Sequence, residues 1–214
     1  MAGKLLKGAW CILLTLPMGA GFWDEKQMHE NWEVFSRISI SVVLQNLLVI
    51  CVVIATFIAL TKVAPFLKWS WFSLFTRENP ETGEETPHEG TNIHLIPSNV
   101  KYFGLVFLVI LAINLPEYAH MEEKWFREGT ISWQHGLFLS LLFGMVHCIV
   151  GVPLGAGLAI SVAGIWFTHQ YFAGGVELST VHHTTYNLIL VSILFLGLLL
   201  KHIVDLLPEQ EKAV

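Results

Sequence analysis

Three small groups of residues in this chain combine side chains that hydrolytic chemistry uses. The first is Glu122-Glu123-Lys124-Trp125-Phe126-Arg127, a charged stretch between two apolar runs. The second is Phe143-x-x-x-His147 and the third His183-x-x-x-Asn187, each inside apolar sequence. Residues four apart share a face of a helix, so Glu123 and Arg127 pair along one helix, acid first, the favourable order for an ion pair. Glu122 points about 100° away from Glu123, on the side of Tyr118, Trp125 and Phe126. An acid with no counter-charge in aromatic surroundings suits a general base that takes a proton from water. His183 and Asn187 offer two donors for an oxyanion. Taken singly, each group has an ordinary reading: an interfacial charged helix, a hydrogen-bonded core histidine, and polar glue between helices.

The composition says what must position them. The chain has 214 residues, 54% hydrophobic and 14% charged, where soluble domains carry about 25% charged residues. With a mean hydropathy of +0.59 and apolar runs near the bilayer-spanning length, this is the profile of a polytopic membrane protein. A charge in hydrocarbon costs at least ~2.5–3.5 kcal/mol, so ionisable residues within or beside the spans mark function. The formal charge of −5, with no basic block, excludes a nucleic-acid partner.

The expected fold is an all-α transmembrane bundle of about six spans with interfacial helices, one integral membrane domain over residues 1–214. The apolar runs are 5–22, 38–67, 100–115, 131–150, 153–173 and 180–207. Of these, 5–22 reads as a retained first helix in preference to a cleaved signal peptide. Residues 116–190 carry the motifs, and 76–99, with Pro80, Gly83, Pro87, Gly90 and Pro97, read as a polar loop. Trp23 and Trp32 are placed as interfacial anchors, and the segment from Lys68 to Phe75 as interfacial. Six spans put both termini on one face with most of the Lys and Arg residues, so the positive-inside rule places the termini in the cytoplasm. Pro116 closes one span and opens the charged helix. Gln45 and Asn46 are expected to bond a neighbouring helix. Cys11, Cys51 and Cys148 read as buried thiols. His182, about 100° round the helix from His183, is expected to face elsewhere, and His120 to lie at the surface.

For Glu122 and His147 to reach one water, the chain must double back midway between them. At ~1.5 Å per residue the turn falls near Trp133 to Gly136, and the spacing predicts a hairpin tip at 132–136.

The ordered set E-E-x-x-x-R, F-x-x-x-H and H-x-x-x-N, with Phe126 before Arg127 and Ala173-Gly174-Gly175 before the last helix, resembles the CAAX-processing and bacteriocin-processing family of intramembrane proteases, which includes the type II CAAX prenyl endopeptidases. The likeness covers roughly Pro116 to Leu190. It implies an endopeptidase acting on a membrane-associated or lipid-anchored substrate, with lipid and a peptide or lipid-modified protein as partners. It further implies that Glu122 activates a water which His147 helps to hold. His183 and Asn187 would stabilise the oxyanion, while Glu123 with Arg127, and Phe143, would support them. The spacing from Glu122 to His147 is about two turns shorter than the family pattern. No cofactor is required by this reading. H-E-x-x-H, the spacing that reads most directly as zinc, is absent, although Glu122, His147 and His183 could ligate zinc. Two other functions fit the composition. One is a histidine-rich bundle binding haem or a transition metal through His147 and His183. The other is a non-catalytic relative acting as a scaffold or immunity factor.

Overall fold

The structure is a computed structural model that describes residues 24–70, 76–78, 85–87 and 103–206. The run 5–22, Cys11, Trp23 and most of the 76–99 loop lie outside the described residues. Helix α1 spans Glu25–Ser36 and begins where the Asp24 carboxylate accepts the Lys26 N–H. Helix α2, Ile40–Val63, starts at the Ser39 cap and ends before Pro65, which forces the preceding residue out of helical geometry. A short 3-10 turn, Pro65–Lys68, follows. Within the expected loop, β1 (Thr76–Glu78) pairs antiparallel with β2 (Glu85–Pro87), Arg77 opposite Thr86.

Helix α3, Phe103–Arg127, is one continuous helix with Pro116 inside it. The expected boundary at Pro116 is therefore absent. Proline removes one backbone donor and loosens the turn before it, and a neighbouring side chain can serve the freed carbonyls. The carbonyl that would have accepted from residue 116 is that of Ala112; one residue on, buried Asn31 of α1 donates to the Ile113 carbonyl at 3.2 Å. Helix α4, Trp133–Val146, is capped by Ser132 and runs into a 3-10 turn, His147–Val150. Helix α5 is assigned over Leu154–Leu206 but breaks at Gly174 and Gly175, the latter at φ 71°. The Ser179 hydroxyl lies 2.9 Å from the Phe167 carbonyl. Twelve helical residues would hold those positions about 18 Å apart, so α5 is two antiparallel arms, 154–173 and 176–206.

Among the described residues four helices are long and apolar enough to cross a membrane: α2, α3, α4 with its 3-10 extension, and α5. Counting the arms of α5 separately, five of the six apolar runs are helical among the described residues. Large apolar side chains cover the outside, among them Leu48 on α2, Phe138 on α4 and Leu200 on α5. The bundle is drawn together by small residues. A Cβ at Gly144 of α4 would strike the Gly157 carbonyl and the Ser161 hydroxyl of the first α5 arm, and one at Gly164 would lie 3.1 Å from Ser140. Close approach through small residues is how apolar helices associate without a water-driven force between them. Within this frame Phe143, Phe167, Ala163 and Tyr186 form the main core with Ile50 and Val53 of α2.

Candidate active site

The hairpin between α3 and α4 sets the first relationship. Helix α3 stops at Arg127, and 128–132 form a non-helical connection instead of the helical run expected up to a tip at 132–136. The connection still carries the chain outward before it returns. Thr130 Cγ2 lies 3.4 Å from a Cβ placed on Gly136, so those residues are level. Further in, the Phe126 and Phe143 rings meet edge to face at 5.4 Å. Glu122 and His147 each lie one turn further from the connection along their own helices and form no hydrogen bond or ion pair with each other among the described residues. The turn itself falls at 128–130, where the Thr130 N–H donates to the Arg127 carbonyl at 2.9 Å and Gly129 sits at φ 79°, and not at the expected tip of 132–136.

Glu123 and Arg127 form the expected pair, with Nε 3.4 Å from Oε2 and both side chains fully buried. The guanidinium also donates from Nη2 to the Gly164 carbonyl at 3.2 Å. Its plane is surrounded by rings: Cζ is 4.4 Å from the Phe143 centroid and 5.8 Å from those of Phe126 and Phe167. Arg127 Nε and Nη1 have no hydrogen-bond acceptor, and the aromatic faces supply the attraction there.

The acid does more than neutralise Arg127. Glu123 Oε1 lies 2.8 Å from His183 Nδ1, while Oε2 accepts from the Ser179 hydroxyl. A carboxylate paired with an arginine has only acceptors, so His183 Nδ1 carries the proton. Its other nitrogen, Nε2, is 3.5 Å from Glu122 Oε2. His183 is thus set between the two adjacent acids, one sealed in the core and one whose side chain keeps 33% of its exposure. The neighbour of Glu122 is the His183 imidazole, while Trp125, one of the rings expected beside it, is 71% exposed. The His183 ring lies flat on Phe167 at 4.5 Å and meets the edge of Phe143 at 5.4 Å.

His147 joins this group through Phe143 alone. Its ring packs on that of Phe143 at 5.0 Å, and its Nδ1 is 2.7 Å from the Phe143 carbonyl. Among the described residues it makes no hydrogen bond or ion pair with Glu122 or His183. Asn187, one turn beyond His183, is half-buried and makes no hydrogen bond among the described residues. Nor are three His, Cys, Asp or Glu side chains grouped as metal ligands there, so Glu122, His147 and His183 do not form a ready donor set.

Sequence reasoning missed Ser179, whose signal was its place four residues before His183 on the same face. It also missed that Glu123 holds His183. His182 does face away, bonding Asn46 at 3.1 Å across to α2. Gln45 does not cross to another helix but bonds Ser41 on its own. His120 is half-buried with Nδ1 3.4 Å from the Thr180 hydroxyl, where a surface position was expected. Cys51 is exposed on the outer face of α2, not buried. No protein-family model, curated protein or solved structure matches this chain.

Proposed function

We propose that the chain is a multi-pass membrane endopeptidase that hydrolyses a peptide bond in a membrane-associated or lipid-anchored substrate, with its termini in the cytoplasm. The observation that carries the reading is the convergence on Phe143. Arg127 from α3, His147 from α4 and His183 from the second α5 arm all touch that one ring, and these are the three motifs that hydrolysis needs together.

In this reading Glu122, the accessible acid, takes a proton from water, and the oxygen attacks the scissile carbonyl carbon. Collapse of the tetrahedral intermediate breaks the C–N bond. The proton held by Glu122 then passes to the departing nitrogen, with His183 Nε2 beside Glu122 available to carry it. With Nδ1–H committed to Glu123, neutral His183 presents an acceptor at Nε2 and donates to an oxyanion only when doubly protonated. Asn187, free of hydrogen bonds among the described residues, supplies an amide donor from the same helix face, and His147 Nε2 remains for the water. The mechanism asks nothing of a metal or cofactor.

The test uses purified protein in phospholipid vesicles with a pool of internally quenched peptides, each fused to a membrane anchor. Wild-type protein is expected to cleave some members, and Glu122→Gln to lower the rate by about 100- to 10,000-fold, the range for a general base. Undiminished cleavage by Glu122→Gln removes Glu122 as the base.

A further inference from the structure

We infer that Ser179 is a positioning residue that holds His183 from two directions at once. Ser179 is fully buried and lies one turn before His183 on the second α5 arm. Its hydroxyl contacts the Glu123 carboxylate on α3 and the Phe167 carbonyl on the first arm of α5. Glu123 bonds the imidazole in its plane through Nδ1, and the Phe167 ring supports its face. One small side chain thus ties together both partners that orient the ring.

Hydrogen accounting says which way the tie runs. A serine has one O–H proton and two lone pairs, and both neighbouring oxygens are acceptors. The ionised Glu123, held against Arg127, is the stronger acceptor, so the proton goes there, and the Phe167 carbonyl shares it. Because Oε2 is engaged by Ser179 and Arg127, Oε1 is the oxygen turned toward His183 Nδ1. Without the hydroxyl, Oε2 keeps only the 3.4 Å contact with Arg127 Nε, the carboxylate is held less firmly, and Nε2 is directed less sharply toward Glu122. That His183 orientation serves catalysis rests on the endopeptidase reading. The clasp itself does not.

The experiment compares wild type, Ser179→Ala and Ser179→Thr in detergent micelles and vesicles. Protein labelled with 15N-histidine is used to observe the hydrogen-bonded Nδ1–H proton of His183, identified by its disappearance in His183→Gln. Wild type and Ser179→Thr should show this resonance, while Ser179→Ala should lose it and keep its helical circular dichroism. On the quenched peptide pool, Ser179→Ala should lower kcat by roughly 10- to 100-fold, as expected for misplacement by about 1 Å, with KM unchanged and Ser179→Thr restoring it. Retention of the resonance in Ser179→Ala overturns the proposal. So does loss of the fold in Ser179→Ala that Ser179→Cys, which keeps the volume and only a weak donor, fully repairs with the resonance still absent and kcat normal. Loss of the resonance in Ser179→Ala, together with a wild-type protein that shows it and cleaves nothing, leaves the clasp standing and removes the endopeptidase reading.

Discussion

At the scale of single residues, the unusual feature is a fully buried pair of opposite charges with an imidazole attached. Desolvating such a pair is offset only when its hydrogen bonds are made, and removing one partner leaves the other stranded. Arg127→Met keeps much of the side-chain volume but strands the buried Glu123 carboxylate beside His183 and Ser179 without its counter-charge. The expected cost is about 3–5 kcal/mol of stability, measured as a lower melting temperature in detergent, with His183 loosened in consequence. A melting temperature equal to wild type would mean that the pair is not buried as described. The exposed bridge between Arg37 and Glu177, 2.9 Å long with both side chains more than half exposed, is of the kind worth at most about 1 kcal/mol. Burial, and not the count of ion pairs, decides which charges matter here.

At the scale of elements, two devices shape the site. The break at Gly174 and Gly175 turns α5 back on itself and brings Ser179 against Phe167. Gly175 sits at φ 71° with open space where a Cβ would stand, so its replacement is opposed by backbone strain and not by a clash. Gly175→Ala should lower stability by about 1–3 kcal/mol, the cost of holding an L-residue at positive φ with ψ near 180°, a region essentially reserved for glycine. Gly197, helical and also with open space around it, is the control, and Gly197→Ala should leave stability unchanged or slightly higher. Thermal unfolding of the two variants side by side separates the effects, and equal behaviour would count against the turn. The second device is the run of small residues through which α4 meets the first α5 arm, where Gly144 leaves no room for a methyl group. It sets how near Phe143 comes to Phe167 and so how tightly the rings close on Arg127.

At the scale of the whole molecule, the apolar exterior and the polar interior are inverted relative to a water-soluble domain. Glu123, Arg127, Ser179 and His183 are enclosed, while Leu48, Phe138, Leu200 and Ile203 face outward. The membrane reading makes a direct prediction from thiol chemistry. Cys51, exposed on α2, should resist a membrane-impermeant maleimide in vesicles and react once detergent and denaturant expose the chain. A cysteine at Ile131, 89% exposed in the α3–α4 connection, should react in intact vesicles from one side only. Free labelling of Cys51 in vesicles would refute the placement of α2 in lipid.

Much of this was legible in the residues alone because the signals are local. Apolar runs of bilayer length and the i,i+4 pairing of Glu123 with Arg127 depend on neighbours within a few turns, and so does the turning away of His182 from His183. The passage of α3 through Pro116 was not legible, since it is accompanied by a hydrogen bond from Asn31, 82 residues away. Nor was the imidazole set between the two acids, because 3.6-residue periodicity says which side of a helix a residue occupies but not what packs there. That choice was made by the relative placement of α3, α4 and the arms of α5, which follows from the turn at 128–130 and from close packing at Gly144. The sequence by itself determined the helices and the chemistry they carry. Only the tertiary structure decided that Glu123 and Ser179 hold His183, since that contact joins residues about sixty positions apart whose meeting no local rule of helix geometry contains.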